Sequence, residues 1–130
     1  MKRLLALLCG AAVSVPAMAA DWQLLSVNEG STLYYDRSSV VRQKGSARMW
    51  KLTDFSEIRF VGPKPFISSV DLWEFDCSGK RSRMLSGTAY SGRMGGGAVI
   101  FAADYSDADW SHVVPDSTGE LALVVACGKK

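Results

Sequence analysis

The alternation in Ser68 to Cys77 limits this chain more than any other stretch. Trp73, Phe75 and Cys77 point to one side, Glu74 and Asp76 to the other. A period of two is that of a half-buried β-strand. Such a strand needs a sheet to lie in and a core beneath its apolar side, and Cys77 falls on that side. A cysteine held at the core end of a strand is placed to bond a second element across the core.

The N-terminus decides which cysteines are available for that bond. Met1-Lys2-Arg3 is a short basic start, and Leu4 to Val15 is apolar except for Gly10 and Ser14. Pro16 then precedes the small-residue site Ala17-Met18-Ala19. Basic, then apolar, then small is the order of a secretory signal. The apolar run is shorter than the roughly 20 residues a membrane-spanning helix needs. Residues 1–19 are therefore expected to leave as a signal peptide, with residues 20–130 remaining as a single domain. Cys9 follows Leu8 in the middle of the apolar run, so no lipidation signal is recognised, and Cys9 leaves with the leader. The expected location is the periplasm or the cell surface and exterior of a Gram-negative bacterium. In such an oxidising place the two surviving cysteines, Cys77 and Cys127, are expected to pair. Closing so long a loop is worth about 4 kcal/mol, as an upper estimate.

Charge narrows the partners. The chain carries 15 basic and 13 acidic residues, a formal net charge of +2. Removal of Lys2 and Arg3 leaves 13 of each sign and no net charge. No strong field for nucleic acid is implied. No later segment is apolar enough for a membrane span.

Turn chemistry divides the remainder into short strands. Trp22 to Asn28 and Thr32 to Asp36 flank the turn Asn28-Glu29-Gly30-Ser31. Val40 to Arg42 and Ala47 to Asp54 flank Gln43-Lys44-Gly45-Ser46, where Gly45 takes the positive φ of a tight hairpin. Trp50 and Leu52 are expected to face the core, Lys51 and Thr53 to face away. Phe55 to Pro65 reads as a loop, because Gly62-Pro63 and Pro65 exclude a central strand. Arg81 to Tyr90 and Ala98 to Ala103 are further strands, separated by the glycine-rich and expectedly mobile Ser91 to Gly97. Near the end, Ser117-x-x-Glu120 is a capping-box pattern, followed by Leu121, Val124 and Val125 at helical spacing. A helix from about Thr118 to Cys127 is too short to stand alone, so it must dock on the sheet. The expected fold is α+β, mainly β: an antiparallel sheet of about six strands with one C-terminal helix tethered by the disulfide.

Groups suited to catalysis are few. The lone histidine, His112, lies near Asp104, Asp107 and Asp109, a set that reads as a solvated acidic loop rather than a metal or acid–base site. No metal or cofactor is expected, and no enzyme. Gly92 to Gly97 is not followed by the Lys-Ser/Thr and helix of a phosphate-binding loop. Lys80-Arg81-Ser82-Arg83 is a compact basic cluster in which Arg81 and Arg83 share one strand face. These two arginines are the candidate binding patch, suited to an acidic partner. The four tryptophans, Trp22, Trp50, Trp73 and Trp110, lie in or beside strands and are expected mostly in the core.

Taken in order, Trp22, Tyr35-Asp36, Ser39, Trp50-Lys51-Leu52, Ser68-Ser69, Asp76-Cys77, Tyr90, Gly97, Trp110, Pro115, Glu120 and Cys127 form a pattern over the whole mature chain. In these residues the chain resembles the bacterial surface-adhesin protein E family. The resemblance implies an antiparallel sheet with a C-terminal helix tethered by the disulfide. It also implies adhesion to host extracellular-matrix or plasma proteins, of which vitronectin and laminin are the known kind. The expected function is thus an exported, non-enzymatic binding protein of the bacterial envelope or surface with a protein partner. A homodimer is an allowed assembly, and a periplasmic inhibitor or assembly factor for another envelope protein is the alternative role.

Overall fold

The computed structural model describes residues 19–128. The expected leader, Cys9 included, lies outside the described residues except for Ala19. Among the described residues eight strands form one antiparallel sheet, and one α-helix follows them. The strands are β1 (Trp22–Val27), β2 (Ser31–Asp36), β3 (Val41–Gln43), β4 (Ser46–Val61), β5 (Lys64–Asp76), β6 (Arg81–Tyr90), β7 (Val99–Asp104) and β8 (Ser111–His112). The helix, α1, is Thr118–Cys127. The sheet runs β1-β2-β4-β5-β6-β7, with β3 added to β4 and β8 added to β6. The expected architecture forms: six strands make the main path, and the other two are short extensions.

The β3–β4 hairpin closes at Lys44-Gly45, with Gln43 opposite Ser46 and Gly45 at φ 79°. The next hairpin departs from expectation. Phe55 to Pro65 is not a loop, because β4 continues to Val61 and β5 starts at Lys64. Gly62, at φ 57°, turns the chain, and Phe60 lies opposite Pro65. Proline is tolerated here because this part of the hairpin reaches past its neighbours. β2 ends its pairing opposite Phe55 and β6 opposite Ser68. The arm beyond is a two-stranded ribbon with free outer edges, so Pro65 removes no bond to a third strand.

α1 covers one end of one sheet face. Ala47, Met49 and Phe75 pack beneath Ala122, Leu123 and Ala126, and all six are buried. Alanines at 122 and 126 let the helix backbone come close to the sheet. Ser117 caps the first turn, its Oγ accepting from the Glu120 N–H at 3.3 Å. At the other end the Arg42 guanidinium donates to the carbonyls of Ala126 and Val125, a cation at the negative pole of the helix. Cys77 and Cys127 are bonded, with Cα atoms 5.8 Å apart, inside the range a disulfide allows.

The helix-facing side of β4 is the side carrying Ala47, Met49 and Lys51, not that of Trp50 and Leu52. The expected orientation is therefore reversed. Both sides of this central strand are substantially apolar, so alternation alone does not say which side meets the helix. Leu52 is nonetheless fully buried. It lies under the connection between β6 and β7, where Gly95 approaches Leu52 and Val70. That connection is tied down. Ser68 Oγ, fully buried, donates to the Gly92 carbonyl at 2.6 Å and accepts from the Gly95 N–H at 2.9 Å. Asp54 accepts from the Met94 N–H and the Arg93 guanidinium.

Candidate functional site

Arg81 and Arg83 lie side by side on the face opposite α1, as the strand period requires. Each is already matched within the sheet. Arg83 donates twice to Glu74 Oε1, at 2.6 and 2.9 Å, and Arg81 donates twice to Asp76 Oδ2, at 2.7 and 2.9 Å. Arg48 approaches the other oxygen of Glu74 at 2.9 Å. Trp110 stacks over both arginines, 4.2 Å from the Arg83 guanidinium and 5.5 Å from that of Arg81. The spacing Glu74-x-Asp76 and Arg81-x-Arg83 across a hairpin turn is the sequence signal for this ladder.

These contacts set the local proton affinities. Burial alone would raise the Glu74 carboxyl, but hydrogen bonds and charge from Arg83 and Arg48 outweigh it and hold the group below its ordinary range. Asp76 is also held low, first by the Gly79 N–H and then by Arg81.

None of the four tryptophans is fully buried. Trp73 packs against the helix core. Trp22 and Trp50, with Val70, Thr88 and Tyr90, line an open groove of about 320 Å³ on the face away from α1. His112 and the acids Asp104, Asp107 and Asp109 are exposed. Among the described residues, no three histidine, cysteine, aspartate or glutamate side chains converge in a way that could hold a metal ion.

A second groove occupies the part of the helix-side face that α1 leaves uncovered. Its volume is about 250 Å³. Phe55 and Phe66 of the arm stand at one side, in edge-to-face contact with centroids 5.8 Å apart. Phe101 of β7, Tyr105 and Met84 contribute further walls, and Gly87 and Ala89 keep the floor low. Asp71 reaches this groove and accepts from Ser69 Oγ at 3.3 Å. Its cross-strand neighbour Lys51 is buried, with its ammonium 4.2 Å from the centre of the Trp73 ring. Burial pushes Asp71 up to about 6 and Lys51 down to about 8; in both cases the opposite charge of the other partly offsets the shift. This charged pair and the groove escape a reading of the sequence. Lys51 sits in a strand whose two faces look alike, and the groove walls come from four separate strands and a loop.

The profile of the family described as Surface-adhesin protein E matches residues 22–128. No curated protein matches the chain in sequence. The fold is similar to that of Haemophilus influenzae protein E in several crystal structures. Crystal form II superposes with a TM-score of 0.58 at 15% identity, covering 79% of this chain and 91% of that one. The selenomethionine form gives 0.57 at 15% identity, covering 85% and 92%. Protein E from a non-typeable strain of the species gives 0.56 at 14% identity, covering 85% and 78%. At such identities these structures speak for the fold. The match in family profile over nearly the whole described domain speaks for descent, and the chain belongs to the surface-adhesin protein E family.

Proposed function

We propose that this domain is an exported, non-enzymatic binding protein of the bacterial envelope or surface that adheres to host extracellular-matrix or plasma proteins. Membership of a surface-adhesin family is the observation that carries the reading. The architecture supports it. One sheet, stapled to one helix, holds two open grooves and a projecting arm on a rigid frame, the arrangement in which surface segments do the binding. The arm exposes Ile58 and Phe60, at 57% and 65% of their full area. A retained role for Arg81 and Arg83 in binding would use the outer, accessible part of an ion-paired ladder rather than free cations.

The test is capture by the mature, oxidised protein of purified laminin and vitronectin, with a bacterial envelope extract in parallel. Saturable binding of a matrix or plasma protein, unchanged in His112→Ala, is the expected result. Capture of an envelope protein alone would favour the inhibitor or assembly role. Turnover of a substrate that depends on His112 would overturn the non-enzymatic reading.

A further inference from the structure

β7 ends the sheet path. β6 pairs with one of its edges, and no described strand pairs with the other. Sheet edges are ordinarily blunted by lysine, proline, a bulge or a covering element, because their unpaired N–H and C=O groups recruit other strands. β7 reads Val-Ile-Phe-Ala-Ala-Asp and has neither lysine nor proline. Val99 and Phe101 are 58% and 43% exposed. The single register shift in its pairing falls at the start, and Phe101 to Asp104 run regularly against Ala89 to Ser86. The other edge is better protected. β1 is bulged between Leu24 and Ser26, and Leu25 packs against the helix core.

Two further features lie beside the open edge. Phe101 belongs both to β7 and to the wall of the aromatic groove. A side chain placed opposite Phe101 on an added strand would be within about 5 Å of it, next to the groove. At the other end of the strand Asp104, and just beyond it Asp107 and Asp109, are exposed and form no ion pair among the described residues.

Resting on the binding role above, we propose that β7 takes up an extended segment of another protein as an added strand. That segment would carry a large apolar side chain opposite Phe101 and a basic residue toward Asp104. Main-chain hydrogen bonds would supply affinity and the groove would supply side-chain selection, as in other cases of strand addition. The acids at the end of β7 favour a foreign strand over a second copy, because β7 itself offers no cation to meet them.

The probe is a short synthetic peptide with phenylalanine or valine alternating with threonine and lysine at both ends, followed by fluorescence anisotropy and hydrogen exchange. The expected result is binding that protects the β7 amides and spares β1. It should weaken at least about tenfold, or 1.4 kcal/mol, when alternate peptide nitrogens are methylated, when the lysines become glutamates, and in Val99→Lys/Phe101→Lys. Those variant positions are exposed, and the exchange pattern locates the site without any variant. Equal binding of the methylated peptide, protection elsewhere, no binding, or a self-associated protein whose β7 amides are already protected would overturn the proposal. Undiminished capture of a natural partner by Val99→Lys/Phe101→Lys would also overturn it while leaving the binding role standing. Failure of the natural protein to capture any protein, with β7 still protected by the peptide, would instead count against the role alone.

Discussion

Glu74 accepts from Arg83 on one side and Arg48 on the other. The two ion pairs are unequal, since the Arg83 side chain is 27% exposed and that of Arg48 57%. Water screens the Arg48 bond more, so most of the value lies with Arg83. Glu74→Gln should cost about 2 kcal/mol at neutral pH, because charge-assisted bonds are replaced and Arg83 loses its counter-charge. Glu74 has a depressed proton affinity in the fold, so its stabilisation is complete above the unfolded carboxyl value of about 4.3 and is lost as pH falls below it. Urea titrations should therefore show the gap between natural protein and variant closing in acid. Asp71 has the opposite sign. Its folded value of about 6 exceeds the unfolded value of about 3.9. The penalty of keeping it ionised is full above the former and gone below the latter. Lys51 lowers the Asp71 value, so Lys51→Met should move its carboxyl titration, followed by NMR, upward from about 6. An unmoved midpoint would mean that the two charges do not sense each other.

At the scale of elements, the sequence revealed whatever depends on neighbours along the chain. The Gly45 turn, the alternation in Ser68 to Cys77 and the Ser117–Glu120 cap are local, and the structure reproduces each. What depends on distant partners was hidden. Phe55 to Pro65 reads as a loop because only the lengths of β2 and β6, set elsewhere in the chain, leave the outer edges of the arm free. Seven residues with four glycines suggest mobility at Ser91 to Gly97, yet a buried hydroxyl from β5 and a carboxylate from β4 fasten them. The acids that neutralise Arg81 and Arg83 stand in plain view in β5, but their pairing needs the register of the hairpin. The Ser68 contact can be tested directly. Ser68→Ala removes a donor and an acceptor from a buried position and should destabilise the domain by about 2 kcal/mol. It should also speed amide exchange at Gly95 well beyond the change in global stability. Exchange that accelerates no more than elsewhere would show that the connection is held by other contacts.

For the whole molecule, the feature with the widest reach is the bond between Cys77 and Cys127. It closes a loop with a sequence separation of 50, which includes β6, β7, β8 and α1. Constraining that length of unfolded chain is worth about 4 kcal/mol, as an upper estimate. A small domain has a total stability of roughly 5–15 kcal/mol. Reduction, or the Cys77→Ser/Cys127→Ser variant, should thus lower the urea midpoint sharply and release α1 first, visible as rapid exchange of the amides at Ala122, Leu123 and Ala126. A variant whose midpoint barely moves would assign the docking of α1 to packing and to the Arg42 contacts alone. The bond also acts as a clock. In a reducing compartment the same polypeptide lacks its largest single constraint, and its helix is held only by its packing on Ala47, Met49 and Phe75 and by the Arg42 contacts. The chain therefore stays easiest to unfold while its thiols are reduced, and it acquires its durable form only where an oxidant closes the loop. Place of residence, rather than sequence alone, then determines when this protein becomes a finished scaffold.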